Sequence, residues 1–238
     1  MHFVSATKYR LSLTRHHTDG WQSSPKEFRA SFEISIGNPN CTGEPFRCIV
    51  EWASELFGSF EVSLGDTLTA YNYHVIGGPG FGRLPFDQAV LKSREAGDVW
   101  LAQNEPTLSG ILGINSYRIL RWDDWKKHSE FADSLRSIES YRHQDAAFQR
   151  TISEDIDAFL RRRQLSADDI SDADAQFLST FIIEEIAVYL IQAGERPTVS
   201  IYPGSPLKTE ATMGRFVGLP NALRSRQFAY VEVKPPKK

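Results

Sequence analysis

Apolar positions along this chain change period several times, and each change marks an element. Over residues 28–36 they alternate. Phe28, Ala30, Phe32, Ile34 and Ile36 fall on one side, with Arg29, Ser31, Glu33 and Ser35 on the other, the period-two signature of a strand. Residues 60–64 repeat the pattern, setting Phe60, Val62 and Leu64 opposite Glu61 and Ser63, and residues 198–202 bring Thr198, Ser200 and Tyr202 together. Residues 3–14, 117–122 and 228–233 also read as extended. Between these strands, residues 44–57 read as a helix, with Pro45 near its start and Gly58 just past its end. Further helices are predicted over 86–95, over 123–163 with a break near Tyr141, and over 174–193, closed by Gly194. Residues 77–82 read as a mobile loop. Strands alternating with helices predict one α/β domain over residues 1–238, with a mostly parallel sheet covered on both faces.

Buried parallel strands usually read as continuous apolar runs. Three strands here carry polar residues at alternate positions, which leaves two readings open: a solvated sheet face, or a polar pocket. Glu33 and Ser35 lie two apart, roughly 6.5–7 Å on one side of a strand. That strand feeds a helix, the place where open α/β sheets bind ligands. The helix near the C-terminus poses a similar question. Eleven of the fifteen residues 177–191 are apolar, yet Glu184 and Glu185 sit at the centre. A step of about 100° per residue does not easily put both in water. A buried carboxylate needs a partner, so one of the two is a site candidate, with a solvated stripe as the other reading.

Composition adds exclusions. The 238 residues are 41% hydrophobic and 24% charged, with a net charge of −3. No apolar run is long enough to span a bilayer, and the N-terminus lacks the layout of a secretion signal, so a cytoplasmic protein without membrane contact is expected. Cys41 and Cys48 are expected as free thiols, and no Cys/His spacing reads as a metal site. Mild acidity argues against duplex DNA as a partner. Residues 78–82 do not make a dinucleotide fingerprint. Trp100, Trp122 and Trp125 are expected in the core.

In order and spacing, the motifs resemble those of the tRNA-dependent cyclodipeptide synthases, over about residues 29–235. Ile34-Ser35-Ile36-Gly37-Asn38 resembles that family's serine-bearing strand end, and Gly65-Asp66-Thr67 closes the next strand. Tyr117 to Trp125, then Phe131, Tyr141, Asp145 and Phe148, follow its rhythm of strand, acidic turn and long helix. Phe181-Ile182-Ile183-Glu184-Glu185 resembles its site helix, Ser200-Ile201-Tyr202 its tyrosine strand, and residues 229–235 its closing strand.

The resemblance implies a Rossmann-like fold, similar to the catalytic domains of class I tyrosyl- and tryptophanyl-tRNA synthetases. It implies an aminoacyl transferase that makes cyclic dipeptides (diketopiperazines) from aminoacyl-tRNAs with no cofactor. Ser35 would be the nucleophile, and Asn38 would shape its loop. Glu185 would hold the α-amino group and move its proton, and Tyr202 would position the serine or relay protons. An aminoacyl-tRNA ester is already activated, so a serine can take the acyl group without a full triad. Backbone N–H groups of residues 37–42 and the following helix are expected to stabilise the oxyanion.

Some positions depart from the family pattern. Phe181 stands where the family usually has tyrosine, leaving Glu185 to act alone or with Tyr189. The basic helix that holds tRNA is thin, with Arg83, Lys92 and Arg94 as its cations. Glu33, Ser63 and Ser200 replace small or apolar pocket residues, which suits a guanidinium guest. This resembles the arginine-using, fungal-type branch, with arginyl-tRNA as first donor. The other reading pairs Glu33 with Arg29 or another internal cation. Two rival functions are weighed: a serine esterase or hydrolase that needs a histidine, and a non-catalytic tRNA-binding module.

Overall fold

The computed structural model describes residues 2–4, 9–13 and 20–235. Among them, seven strands form one sheet in the order β1–β2–β7–β6–β3–β4–β5. The parallel part comprises β3 (Arg29–Ser35), β4 (Ser59–Gly65), β5 (Tyr117–Arg121), β6 (Thr198–Tyr202) and β7 (Gln227–Lys234). At one edge β1 (His2–Val4) and β2 (Arg10–Leu13) add antiparallel strands. The stretch 3–14, read as one extended run, is thus two strands paired with each other, and its residues 5–8 and 14 lie outside the described residues.

The alternation in β3 assigns each side chain to a helix layer. Phe32 meets Phe46 of α1 (Gly43–Leu56) edge to face at 5.9 Å and stacks on Phe60 of β4 at 6.3 Å. On the opposite face, Arg29 and Ser31 lie beneath α7 (Asp172–Glu195), with Arg29 Nη1 2.8 Å from Glu195 Oε2 and 3.1 Å from Glu61 Oε2. Gln192 Nε2 donates to Glu61 Oε1 at 2.8 Å and to Ser31 Oγ at 3.2 Å. The polar face of the sheet is therefore not solvated. Toward the strand starts it is a buried ionic layer, and toward the strand ends it opens into a cavity. Each buried charge in that layer has an opposite charge within bonding range, as burial requires.

The helices depart from the sequence reading in four places. First, α3 (Phe86–Leu112) runs well past residue 95 and through Pro106. Gly97 keeps it close to the sheet, since a Cβ there would lie 2.7 Å from Asp66. Second, the predicted stretch 123–163 is three helices: α4 (Trp122–Lys126), α5 (Phe131–Gln144) and α6 (Ala146–Arg162). The break falls at Asp145, whose carboxylate accepts from the N–H groups of Ala147 and Phe148 at 2.9 and 3.0 Å. Third, α7 includes Gly194. Fourth, three short helices went unpredicted: α2 (Ala70–Val75), α8 (Lys208–Thr212) and α9 (Asn221–Arg224). They are too short to show a period. Residues 77–82 form a turn bridged between Gly78 and Phe81, with Phe81 edge-on to Tyr73 at 5.0 Å.

Candidate active site

A cavity of about 470 Å³ opens at the C-terminal ends of β3, β4 and β6. Here β3 lies between β4 and β6, so chain connections depart to either side, and residues of α6 and α7 complete the lining. Ser35, Asn38, Glu33, Ser63, Phe181, Glu185, Tyr189 and Tyr202 all line this cavity. Ser200 does not. It sits behind Glu33, buried.

Ser35 is the last residue of β3, opposite Gly65, and Gly37 turns the chain with φ of 87°. Asn38 clips the turn to β6: its Nδ2 donates to Tyr202 Oη at 3.3 Å and to the Pro203 carbonyl at 3.0 Å. Several of the loop's own N–H groups are already committed. Asn38 N bonds to Ser35 O, Cys41 N to Asn38 O, and Asn40 N to Asn38 Oδ1. The first N–H of α1, from Gly43, is taken by Asn104 Oδ1 of α3 at 3.1 Å. Burial pushes the Cys41 thiol up to about 12, and Cys41 and Cys48 are both free. Burial likewise raises Tyr202 above the ordinary phenol range.

Glu185 is the member of the Glu184–Glu185 pair that enters the cavity. Burial raises its carboxyl well above the ordinary range, and the charges of Glu210 and Glu33 raise it further. Tyr189, one turn on, donates to Glu210 Oε1 at 2.9 Å. Phe181, one turn before, contributes an apolar ring and no hydrogen bond. Glu210 is also raised, by burial first.

Glu33 has an internal cation, and it is not Arg29. Arg226, buried just before β7, places Nη2 3.5 Å from Glu33 Oε1, and Ser200 Oγ donates to the same oxygen at 2.9 Å. Burial raises Glu33 to about 7, against the lowering effect of Arg226 and Ser200. Ser63 is fixed from the other side by Trp125 Nε1 at 3.1 Å. Trp100 and Trp122 are buried too, donating to Cys41 O and Glu184 Oε2.

Sequence reasoning missed Asp155, Arg162 and Glu210 in the lining. Asp155 had a signal, since it falls on the apolar stripe Phe148, Ile152, Ile156 and Phe159 of α6. Its carboxylate accepts from the N–H groups of Lys208 and Thr209 at 2.5 and 2.8 Å. Glu210 lies in a Pro- and Gly-rich stretch with no period to read. The lining thus holds four acidic residues, Glu33, Asp155, Glu185 and Glu210, against one cation, Arg162. Among the described residues no histidine lines it. Outside the cavity, Arg83, Lys92 and Arg94 are each paired already, with Asp174 at 2.5 Å, Glu95 at 2.9 Å and Asp123 at 2.7 Å.

No protein-family model and no curated protein matches this chain. Solved structures do. A CDPS (cyclodipeptide synthase) from Fluoribacter dumoffii superposes with a TM-score of 0.79 at 18% identity, over 95% of this chain and 98% of that one. A Mycobacterium tuberculosis protein, whose structure demonstrates that cyclodipeptide synthetases are related to type I tRNA synthetases, gives 0.68 at 15%, covering 98% and 96%. A cyclodipeptide synthase from Candidatus Glomeribacter gigasporarum, bound to Phe-tRNAPhe, gives 0.62 at 17%, covering 89% and 90%. The chain therefore has the cyclodipeptide synthase fold along nearly its whole length.

Proposed function

We propose that this chain is an aminoacyl transferase that makes an arginine-containing cyclic dipeptide from arginyl-tRNA and a second aminoacyl-tRNA. The observation that carries the reading is the convergence of Ser35, Glu185 and Tyr202 on one cavity at the sheet's switch point, in a chain with this fold. Ser35 Oγ attacks the ester carbonyl of the first aminoacyl-tRNA, a seryl ester forms, and the serine proton ends on the departing ribose oxygen. The amine of the second aminoacyl-tRNA then attacks that ester, returning the serine hydroxyl. Cyclisation of the dipeptidyl-tRNA releases the second tRNA. Glu185 pairs with the α-ammonium of the bound group and takes its proton before attack. A carboxyl raised by burial and by Glu210 suits that task. Asn38 holds Tyr202 beside the serine loop.

An acidic lining supports a cationic side chain as the guest, and Glu33 with Ser63 supplies the acceptors for a guanidinium. Arg226 does not preclude it. Elsewhere in this molecule, Glu61 Oε2 takes two guanidiniums at once, Arg29 at 3.1 Å and Arg118 at 2.5 Å. Because Arg83, Lys92 and Arg94 each have an acidic partner, their attraction for tRNA phosphates is modest and salt-sensitive.

Mass spectrometry of small molecules from bacteria expressing wild type or Ser35→Ala tests the reading. A cyclo(Arg-Xaa) product seen with wild type alone is expected. A cyclic dipeptide without arginine would keep the reaction and remove the proposed substrate. Soluble wild type that yields no product and no acylated Ser35 would remove the reaction.

A further inference from the structure

Arg226 makes contacts that fix the direction of a hydrogen-bond chain. Its Nη1 donates to the Tyr189 carbonyl at 2.9 Å and its Nη2 to Gln192 Oε1, while the guanidinium lies 4.4 Å from the centre of the Tyr189 ring. Nη2 and Nε both donate to Ser200 Oγ, at 2.5 and 3.2 Å. A guanidinium has donors only. The single Ser200 hydrogen must therefore point away from it, toward Glu33 Oε1 at 2.9 Å. Oε1 in turn can only accept. Both contacts use Oε1, and the same residue lines the cavity.

We propose that Arg226 is a positioning residue for substrate selection: acting through Ser200 and directly, it favours Glu33 as an ionised, oriented acceptor, so that the cavity takes a guanidinium side chain. This rests on the arginyl-transfer reading above. The alternative sources of charge around Glu33 are few. Glu61 of β4, together with Glu185 and Tyr189 of α7, opposes its ionisation or is opposed by it, Ser31 of β3 only hydrogen-bonds, and Arg226 is the cation. Without Arg226, burial and Glu61 act on Glu33 with its main opposing charge removed, and a neutral carboxyl offers a guanidinium far less.

Two readouts test this, the first needing no substrate. Infrared difference titration of free protein carrying carbon-13-labelled glutamate carboxyls, with Glu33→Gln subtracted, gives the Glu33 midpoint. Mass spectrometry of Ser35 after brief exposure to arginyl-tRNA gives acyl-enzyme yield against pH. Arg226→Gln is expected to raise the midpoint by about one pH unit or more. It is also expected to cut acylation at neutral pH about tenfold, with recovery as pH rises past the new midpoint. Arg226→Lys keeps the charge and is expected to retain most of both. Should Arg226→Gln fail to fold, Ser200→Ala removes the relay alone and is expected to move the midpoint in the same direction. An unmoved midpoint in a folded variant, or an acylation loss with an unchanged pH profile, overturns the proposal. If the midpoint moves but wild type never takes an arginyl group, Arg226's hold on Glu33 stands and the substrate reading falls.

Discussion

Glu184 and Glu185 are neighbours in α7 and serve different sides of it. Glu184 is buried against the sheet edge, where Tyr71 Oη donates to Oε1 at 2.7 Å, Trp122 Nε1 donates to Oε2 at 2.9 Å and Lys126 Nζ lies 3.0 Å from Oε1. Glu185, one 100° step on, enters the cavity, where Glu210 and Glu33 add like charge. One is a structural ion with its partners supplied. The other is a carboxyl that burial drives toward its neutral form.

The two should separate under mutation. Glu184→Ala strips the partner from two buried donors and one cation, and is expected to cost about 3 kcal/mol in urea unfolding. Glu185→Gln is expected to leave stability unchanged or slightly higher while nearly abolishing dipeptide formation. A Glu185→Gln protein with full activity would count against its proposed role.

Glu33→Gly removes the acceptor proposed for the first donor's side chain. Competing arginyl- and leucyl-tRNA in a single-turnover acylation of Ser35 should show arginine preference falling about tenfold or more, the value of a charge-assisted hydrogen bond. Unaltered preference would place arginine recognition elsewhere.

Asp174 offers a pH signature. Burial pushes its carboxyl up, but hydrogen bonds from Ser171 and then Arg83 outweigh this and hold it below its ordinary value of 3.8. The folded state thus binds this proton less readily than the unfolded chain, so the stabilisation is full above about pH 4 and fades as pH falls through the depressed value. Asp174→Asn is expected to melt below wild type at pH 7, with the gap closing below about pH 3. A gap that stays constant across that range would contradict this origin.

Asn104 ties α3 to the serine loop, accepting from Gly43 N and Thr42 Oγ1 at 3.1 Å each and donating to Trp100 O at 2.8 Å. Asn104→Ala leaves the first N–H of α1 without that partner in a part-buried site. A loss of about 1–3 kcal/mol is expected, together with faster amide exchange at Gly43.

The sequence by itself determined strands β3, β4 and β6 and which of their faces is polar, because a period of two follows directly from the chemistry of successive side chains. Resemblance to the family, rather than periodicity, singled out Ser35, Glu185 and Tyr202. The tertiary structure alone decided three further matters. It gave Glu184 and Glu185 different surroundings, since adjacent residues on a helix differ only in what packs around them. It filled half of the polar sheet face with ion pairs, because Arg29, Glu61, Glu195 and Arg118 come from elements far apart in the chain. It also gave Glu33 its cation, Arg226, nearly two hundred residues away. Periodicity reports which way a side chain points from its own element, whereas the charge of a buried carboxylate is set by whichever element folding brings against it.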